Sequence, residues 1–385
     1  MEYLPRKLAS ELHDSLKEYP VVTLFGPRQA GKTTFVREEC PTFSYTNFEE
    51  PDTRARALMD PRAFLHGLPK PAILDEIQRI PELLSYIQAI VDQEKRNGVF
   101  VLTGSHQLEL GAAVSQSLAG RTAVLTLLPF SMEELGDPLL PASRGALLRK
   151  GFLPRVYDQA QEPTRAYRYY FQTYIERDLR SLLLVKDLAK FESFLRILAG
   201  RVGQLFIASS IATELGISYK TVQEWVAILE ASYIIFFLRP YHTNFGKRFV
   251  KTPKLYFVEP GLASYLLGIE DDSQVERDPV FGGLFENMVV VEALKARLNL
   301  GKDAGLYFMR DRNGAEVDLV LDRRGSPLLI EIKAATTFHS EFTKGLKHFQ
   351  KIMKDSTASV IYGGDEELKS ELCRIVHYKK TATLF

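Results

Sequence analysis

The sequence has little of several features that would point to particular classes of protein. Only two cysteines occur, Cys40 and Cys373, and they are far apart. Their scarcity argues against a disulfide framework or a cysteine-built metal site and suits a reducing cytosol. No uncharged apolar run approaches the roughly 20 residues that a membrane-spanning helix needs, and the first residues lack the apolar core of a signal peptide. These absences predict a soluble, cytoplasmic protein without membrane contact.

An excess of charge of either sign is also missing, since 49 Lys and Arg residues face 48 Asp and Glu residues. No global field therefore attracts nucleic acid, and a nucleic-acid surface has to be a local patch. The 385 residues, 45% of them hydrophobic, exceed the usual size of one compact domain. We expect about two to four domains.

The most specific motif present is a phosphate-binding loop. Residues 26–34 match G-x-x-x-x-G-K-[ST] and directly follow an apolar strand candidate at residues 21–25. The two glycines let the backbone wrap a phosphate, with N–H groups and the positive end of the next helix directed at the anion. Lys32 is predicted to reach the β- and γ-phosphates of ATP, and Thr33 to bind Mg²⁺. The predicted nucleotide-binding residues of this loop are Gly26, Pro27, Arg28, Gln29, Ala30, Gly31, Lys32, Thr33 and Thr34.

Polar residues at later strand ends complete a predicted hydrolytic site. The strand candidate at residues 72–74 ends in Asp75 and Glu76. We predict that Asp75 holds Mg²⁺ and that Glu76 polarises the attacking water; a solvated loop start is the alternative. Ser105 follows the strand candidate at residues 98–103 and is predicted to sense the γ-phosphate, although a hydroxyl that satisfies a turn fits equally. Strands alternating with helices predict a parallel sheet with ligands at its carboxyl edge.

Arg121 is a separate catalytic candidate, because a guanidinium aimed at a transferring phosphate accelerates hydrolysis. It stands at a predicted helix-to-strand junction. Donation to a neighbouring subunit would require a homo-oligomer. The alternative is an ordinary surface charge.

The middle of the chain changes from helical spacing to a different pattern. Residues 131–200 have apolar positions at helical intervals. From residue 205 onward, a helix, a short glycine turn and a second helix precede two strand candidates joined by a basic turn. This outline predicts a winged helix whose second helix enters a DNA major groove; a packing module within an ATPase is the alternative. Lys220, Lys247 and Arg248 are the predicted DNA-binding residues, and Lys251 and Lys254 extend the positive patch.

A second candidate active centre lies near the carboxyl terminus. Glu286 stands on an apolar helix, Asp318 in a strand, and Glu331 and Lys333 on one face of a further strand. If the strands are neighbours, these groups converge as in metal-dependent phosphodiester cleavage. Glu286, Asp318 and Glu331 would hold Mg²⁺ or Mn²⁺, and Lys333 would orient the water. The alternatives are a salt-bridge cluster and binding of nucleic acid without cleavage.

Taken in order, these motifs resemble the prokaryotic AAA-type ATPases that carry a carboxyl-terminal domain of unknown function. The matching stretches are 25–34, 73–78, 102–105, 117–121, 174–180, 221–222, 239–241, 251–257, 261–263, 285–287, 316–318 and 331–333. The resemblance implies a P-loop ATPase of the additional-strand type, a winged helix and a fold similar to the PD-(D/E)XK nucleases. Asp318, Glu331 and Lys333 fall on that nuclease motif, with Glu286 at its helical acidic position. Glu259 departs from the family pattern, in which aspartate is expected.

We therefore predict an α/β protein in four parts. They are a P-loop ATPase core with a parallel sheet (1–135), a helical lid (136–200), a winged helix (201–265) and a restriction-endonuclease-like α/β domain (266–385). The predicted function is ATP hydrolysis with Mg²⁺ in association with DNA, which the last domain cleaves or only binds. The alternative is an ATP-dependent regulatory switch that acts on a protein partner. A phosphotransfer kinase is disfavoured by Glu76 beside Asp75.

Overall fold

Two β-sheets organise the chain. The computed structural model describes residues 3–104, 111, 114, 116–174, 187–241, 249–323 and 325–385. The α-helices are Ala9–Glu18 (α1), Lys32–Glu39 (α2), Pro51–Met59 (α3), Pro61–Gly67 (α4), Leu83–Glu94 (α5), Met132–Leu139 (α6), Arg144–Lys150 (α7), Pro154–Asp158 (α8), Pro163–Tyr170 (α9), Leu188–Gly200 (α10), Ala208–Leu215 (α11), Tyr219–Ala231 (α12), Pro260–Leu266 (α13), Asp272–Arg277 (α14), Phe281–Leu298 (α15) and Lys344–Ile352 (α16).

The strands fall into one group before residue 130 and another after residue 230. They are Val21–Phe25 (β1), Ser44–Asn47 (β2), Ala72–Asp75 (β3), Phe100–Thr103 (β4), Thr122–Thr126 (β5), Ile235–Pro240 (β6), Lys254–Phe257 (β7), Leu306–Arg310 (β8), Glu316–Leu321 (β9), Leu328–Lys333 (β10), Thr357–Tyr362 (β11), Leu368–Lys369 (β12) and Arg374–His377 (β13). The predicted strands that carry candidate site residues, β1, β3, β4, β9 and β10, are all present.

The first sheet is parallel throughout and has the order β2-β3-β4-β1-β5. Strands β1, β3 and β4 are buried on both faces, which explains their continuous apolar runs. Apolar residues of α1 and α2 cover one face, and those of α5 cover the other. Because β4 lies between β1 and β3, the sheet has the additional strand that the resemblance implied. The predicted α/β P-loop sheet is confirmed.

The second sheet is mixed and has the order β12-β13-β11-β10-β9-β8-β6-β7. Its β6 and β7 form an antiparallel hairpin, and β6 also pairs in parallel with β8. The hairpin strands of the predicted winged helix therefore continue into the sheet of the predicted nuclease-like domain. One hydrophobic core, running from Phe130 to Leu384, joins α6 to α15 and one face of this sheet. The sheet and the core are continuous across the division predicted at residue 266.

A helix-turn-helix precedes the hairpin. Helix α11 ends at Gly216, and the Ser218 hydroxyl caps α12 by accepting a hydrogen bond from Thr221 N at 3.0 Å. The buried stripe of α12 packs in the core and includes Val222, Trp225 and Leu229. The order of helix, turn, helix and antiparallel hairpin fits a winged helix, which stays a prediction.

Helix α15 is the central element of the carboxyl-terminal half. Asn287 on this helix is fully buried; its Oδ1 accepts from Phe257 N at 2.7 Å and its Nδ2 donates to Phe257 O at 3.0 Å. Strand β7 is the last strand in the sheet order, and the outer backbone groups of Phe257 face α15 instead of another strand. The Asn287 amide supplies that partner and fixes β7 to α15.

Glu259, the residue that departs from the family pattern, joins the end of β7 to the helices of residues 144–170. Its carboxylate is buried and accepts hydrogen bonds from Phe152 N at 2.9 Å, Gly261 N at 3.1 Å and the Tyr167 hydroxyl at 2.9 Å. Burial raises the pKa of Glu259. Glu259 therefore caps α13 and holds the helices of residues 144–170 against α13.

Among the residues that the structure describes, no helix combines the length and the apolar composition needed to cross a bilayer.

We predict that Asn287→Ala destabilises the carboxyl-terminal half, because a buried N–H and a buried C=O of Phe257 lose their partners. The expected loss of unfolding free energy is about 2–4 kcal/mol. Denaturant unfolding followed by the fluorescence of Trp225, the single tryptophan, measures it. Asn313→Ala, at an exposed turn, is the control and is expected to change the free energy by less than about 0.5 kcal/mol. Equal stabilities of the two variants would contradict the assignment.

Candidate functional site

The phosphate loop joins β1 to α2 at the carboxyl edge of the first sheet. At Gly26, where φ is +153°, a Cβ atom would lie 2.1 Å from the Leu127 carbonyl oxygen. Gly31, with φ at +87°, precedes α2 in the left-handed conformation. Only glycine fits both positions without strain. The loop therefore turns tightly enough to present the amino end of α2 at its centre.

Lys32 is held inside this loop. Its Nζ donates to Gly26 O at 2.9 Å and to Pro27 O at 2.8 Å, and the residue is buried. Burial lowers the pKa of Lys32 to about 8, although the nearby Glu76 and Asp75 carboxylates oppose the shift. A buried ammonium that donates to two neutral carbonyls is well placed to exchange them for a phosphate.

Asp75 lies at the end of β3 and receives three hydroxyl groups. One carboxylate oxygen accepts from Thr33 Oγ1 at 2.9 Å and from the Tyr45 hydroxyl at 2.7 Å, and the other accepts from Thr103 Oγ1. Asp75 is 3% exposed. The structure thus brings Thr33 and Asp75 together as predicted. Their hard oxygen donors fit Mg²⁺.

Two of these Asp75 partners were missed by sequence reasoning. Thr103 is the polar residue that ends the buried strand β4, beside β3, and this pattern was a usable signal. Tyr45 lies on β2, and only the pairing of β2 with β3 places its hydroxyl at Asp75. Burial and the adjacent carboxylate raise the pKa of Tyr45, so it stays a hydrogen-bond donor.

Glu76 follows Asp75 in a left-handed conformation, with φ at +58°. Its backbone N–H donates to Thr103 Oγ1 at 3.2 Å, and its Oε2 accepts from Gln78 Nε2 at 2.5 Å. A non-glycine residue with positive φ is uncommon and is often found where a side chain must be aimed. Glu76 and Lys32 are close enough for their charges to interact.

Arg6 holds the phosphate loop through a hydrogen bond to its backbone, a role that was not predicted from the sequence. Its guanidinium donates to Ala30 O at 2.9 Å, to Leu128 O at 2.6 Å and to Glu134 Oε1 at 3.0 Å. Both members of the Arg6–Glu134 pair are almost fully buried. No motif surrounds Arg6 in the sequence, because its partners come from three distant segments.

A cavity of about 430 Å³ opens beside the phosphate loop. Gly31 and Thr34 form its loop side, and Glu38 on α2 continues it. Its other walls come from the amino-terminal segment and from the region around α8. They include Leu4, Phe130, Pro154, Arg155 and Asp158. Such a mixture of apolar walls and a few polar groups is typical of a small-molecule site.

The other two predicted ATPase residues are Ser105 and Arg121. Ser105 lies outside the described residues. Arg121 precedes β5 at the amino edge of the sheet, opposite the loop, and its guanidinium contacts Asp92 at 2.6 and 2.9 Å. The placement is incompatible with a catalytic contact to the phosphate loop of the same chain. Donation to a neighbouring subunit stays a prediction.

The structure brings the predicted carboxyl-terminal residues together. Lys333 Nζ lies 2.6 Å from Glu331 Oε1 and 3.5 Å from Asp318 Oδ2, and Asp318 Oδ2 also accepts from Ile332 N at 2.8 Å. Burial and the nearby Asp318 carboxylate raise the pKa of Glu331 to about 8. We call Glu286, Glu316, Asp318, Glu331, Lys254 and Lys333 the carboxylate cluster.

Lys254 is the member of the carboxylate cluster that sequence reasoning assigned to a different role. Its Nζ lies 2.8 Å from Glu286 Oε1 and 3.8 Å from Asp318 Oδ1, and it also contacts Glu316. Burial by itself would lower the pKa of Lys254, but Tyr256 and the surrounding carboxylates raise it well above its ordinary value. The prediction that Lys254 belongs to an exposed basic patch is wrong, because the residue is 2% exposed.

The metal set expected at Glu286, Asp318 and Glu331 is not supported. Over the described part of the chain, no group of three or more His, Cys, Asp or Glu side chains is arranged to hold a metal ion. Lysine nitrogens lie where a cation would be needed. The signal for this was the short strand Lys254–Phe257, whose alternation puts Lys254 and Tyr256 on one face.

The predicted DNA-binding residues are only partly described. The Lys220 side chain, at the start of α12, is 85% exposed and lies 3.8 Å from Glu224. Lys247 and Arg248 lie outside the described residues. Lys251 is exposed.

Comparisons with known proteins match the chain in three consecutive stretches. A family model described as an AAA domain matches residues 18–136, which confirms the predicted AAA-type P-loop ATPase. Two models described as domains of unknown function, DUF8612 and DUF4143, match residues 145–273 and 281–380. These two matches leave the winged helix and the nuclease-like domain as predictions.

Curated relatives extend over nearly the whole chain. The uncharacterized protein Rv2008c of Mycobacterium tuberculosis is 32% identical over 362 residues, which cover 94% of this chain and 80% of the relative. The uncharacterized protein Mb2031c of Mycobacterium bovis gives the same values.

Solved structures show more distant similarity. The Walker-type ATPase paby2304 of Pyrococcus abyssi is 15% identical, with a TM-score of 0.47, over 69% of this chain and 96% of that one. A signal transduction ATPase with numerous domains, PH0952 of Pyrococcus horikoshii, is 13% identical, with a TM-score of 0.24, over 78% of this chain and 48% of that one.

We predict that the buried Lys32 charge makes stability depend on pH. The pKa falls to about 8 on folding from 10.5, so between these values the unfolded chain binds more protons and stability rises with pH. Relative to Lys32→Met, the unfolding free energy of the wild type should rise by about 3 kcal/mol from pH 7 to 10.5. Denaturant unfolding followed by circular dichroism measures this. Lys354→Met, at an exposed position, is the control, and a flat Lys32 difference would contradict the prediction.

Proposed function

The chain belongs to the protein family of Rv2008c and Mb2031c, and from its AAA-domain match and its phosphate loop we propose that it hydrolyses ATP and uses its nucleotide state to control a DNA-binding surface. One observation carries the hydrolytic part of this proposal. Thr33, Asp75 and Thr103 meet at the carboxyl edge of the first sheet, with Lys32 and Glu76 beside them.

Each residue of this group has a separate role. Lys32 exchanges its two loop carbonyls for the β- and γ-phosphates of ATP, which pays for its buried charge. Mg²⁺, when bound with ATP, neutralises phosphate charge, and Thr33 and Asp75 are the oxygen donors that would hold it. Tyr45 and Thr103 orient the Asp75 carboxylate through their hydroxyl groups.

Glu76 acts as the base that orients the attacking water. Its backbone is fixed by Thr103, and its side chain is fixed by Gln78. Proton transfer by a positioned carboxylate contributes about 10²–10⁴-fold to a rate. The lack of such a base would leave ATP bound and unreacted.

The nucleobase occupies the cavity beside the loop. Gly31 and Thr34 line both the loop and this cavity, so a nucleotide with its phosphates at Lys32 extends into it. The opposite wall includes Pro154 and Arg155, from the predicted lid. A bound base therefore contacts both the ATPase core and the predicted lid.

A series of buried polar contacts connects the loop to the carboxyl-terminal half. Arg6 binds Ala30 O in the loop and Glu134 on α6. The start of α6 is in turn bonded to α15. Glu292 of α15 accepts a hydrogen bond from Met132 N at 2.7 Å, and Lys295 of α15 donates one to Phe130 O at 2.7 Å. A change at the loop therefore has a short mechanical route to α15, which also bears Glu286 and Asn287.

The DNA-binding surface is formed by α12 and the adjoining hairpin. Tyr219, Lys220 and Gln223 are exposed on the first two turns of α12. Helices that read DNA use these positions to reach base edges and phosphates. Glu224 lies near Lys220, and this mixed charge also suits the alternative, a protein partner. The salt dependence of binding separates the two.

We predict that Lys32→Ala abolishes ATP turnover and weakens ATP binding, because the phosphates lose their buried cation. Glu76→Gln should keep ATP binding and lower turnover by about 10² or more, because the water loses its base. Phosphate release measures turnover, and the fluorescence of a labelled ATP analogue measures binding.

Glu82→Gln is the control for these two variants, since Glu82 is an exposed glutamate six residues beyond Glu76. Its turnover should equal that of the wild type. Turnover that survives both Lys32→Ala and Glu76→Gln would reject the proposed hydrolytic site.

We predict that the affinity for duplex DNA falls steeply with salt and that Lys220→Ala reduces the slope by about one released ion. The reason is that an exposed lysine neutralises a phosphate and displaces a counterion. Fluorescence anisotropy of a labelled duplex, titrated at several salt concentrations, measures it. Lys17→Ala, on α1, is the control. An absence of salt-dependent DNA binding would favour the switch that acts on a protein partner.

A further inference from the structure

The carboxylate cluster has the residues of a metal-dependent nuclease site in a different electrostatic state. Glu286, Asp318 and Glu331 lie together, as that motif requires, with Lys333 beside them. The side chain between Glu286 and Asp318, however, is the Lys254 ammonium, which contacts both. The residues present therefore do not fit a bound Mg²⁺ or Mn²⁺.

We propose that Lys254 is the resident cation of the carboxylate cluster, and that this cluster is a closed ionic joint between β7, α15 and β9 that binds no metal and cleaves no nucleic acid.

The charges of the carboxylate cluster are largely compensated by the protein itself. Lys254 forms ion pairs with Glu286, Glu316 and Asp318, and Lys333 forms ion pairs with Asp318 and Glu331. Arg310 adds a third cation, with its Nη1 3.1 Å from Glu316 Oε2. Four carboxyl groups thus face three cationic side chains. A divalent ion brought into this group would meet a cation already bonded to its ligands.

The ligand requirements of the metal lead to the same conclusion. Mg²⁺ takes six oxygens at about 2.0–2.1 Å in near-octahedral geometry and keeps several of its waters. The Lys254 ammonium already binds Glu286, a predicted ligand of such an ion, and also contacts Glu316. The Tyr256 hydroxyl also donates to Glu286 Oε1, at 2.6 Å. Both contacts fall on Glu286 Oε1, so the two lone pairs of that oxygen are engaged by the protein.

Lys254 cannot withdraw easily, because the strand that carries it is fixed on both sides. Next along β7, Leu255 N donates to Gln204 O at 3.0 Å, and Leu255 O accepts from Gly203 N at 2.8 Å. Two residues further, Phe257 is bonded to Asn287 of α15. The Lys254 side chain itself is 3% exposed. Moving the strand would break these backbone hydrogen bonds, and moving the ammonium alone would leave buried carboxylates unpaired.

The first test uses the wild-type full chain without nucleotide. Mn²⁺ is titrated into the wild type and into Asp318→Asn, and bound Mn²⁺ is counted by electron paramagnetic resonance. Equal stoichiometry in the two proteins supports the proposal. An additional Mn²⁺ in the wild type that Asp318→Asn loses would overturn it.

The second test removes the resident cation. Lys254→Met keeps the side-chain length without the charge, and the folded variant should gain one Mn²⁺ that the double variant Lys254→Met/Asp318→Asn loses. Lys295→Met is the matched control, since it also removes a buried lysine but leaves the single carboxylate Glu292, which should bind no Mn²⁺. A folded Lys254→Met protein without added Mn²⁺ binding would overturn the proposal. Where this variant fails to fold, the wild-type titration decides.

The third test is cleavage itself. Supercoiled and linear DNA are incubated with the wild type, Mn²⁺ and ATP, and no cutting that depends on Asp318 is expected. Cutting by the wild type that Asp318→Asn abolishes would overturn the proposal. This outcome is independent of the ATPase, which Lys32→Ala and Glu76→Gln test separately.

Discussion

The pairing of the polar side chains buried on α15 governs how the carboxyl-terminal half is assembled. This helix passes through the main core, and a polar side chain there is tolerated only with a partner. Glu286 and Asn287 find theirs on β7, whereas Glu292 and Lys295 find theirs on the backbone that leads into α6. Because the two pairs of residues find their partners on two different segments, α15 fixes the position of the hairpin and of the segment that leaves the ATPase sheet.

Arg6 extends the same rule to the nucleotide site. It satisfies the carbonyls of Ala30 and Leu128 and forms a buried ion pair with Glu134. Arg6 thus connects the phosphate loop to α6 through a buried charge that is costly to leave unpaired. A nucleotide that changes the loop acts on a contact whose other end is already attached to the carboxyl-terminal half.

Two buried lysines illustrate how the partner of a charge decides its function. Lys32 is held by two neutral carbonyls, and burial lowers its pKa, so the site has unused affinity for an anion. Lys254 is held by carboxylates, and these raise its pKa, so its charge is already neutralised. The first lysine is available to a ligand. The second joins secondary structure elements.

The local features could be predicted from the sequence: the phosphate loop with Lys32 and Thr33, the acidic end of β3, and the strands that carry Asp318 and Glu331. These follow from motifs and from short apolar runs, which depend on near neighbours in the chain. The remaining features depend on contacts between distant parts of the chain. Tyr45 reaches Asp75 through strand pairing, Arg121 lies at the opposite edge of the sheet, and the hairpin joins the last sheet. Lys254 looked like a surface charge beside a basic turn, and its burial among carboxylates depends on residues more than 30 positions away, which no local pattern encodes.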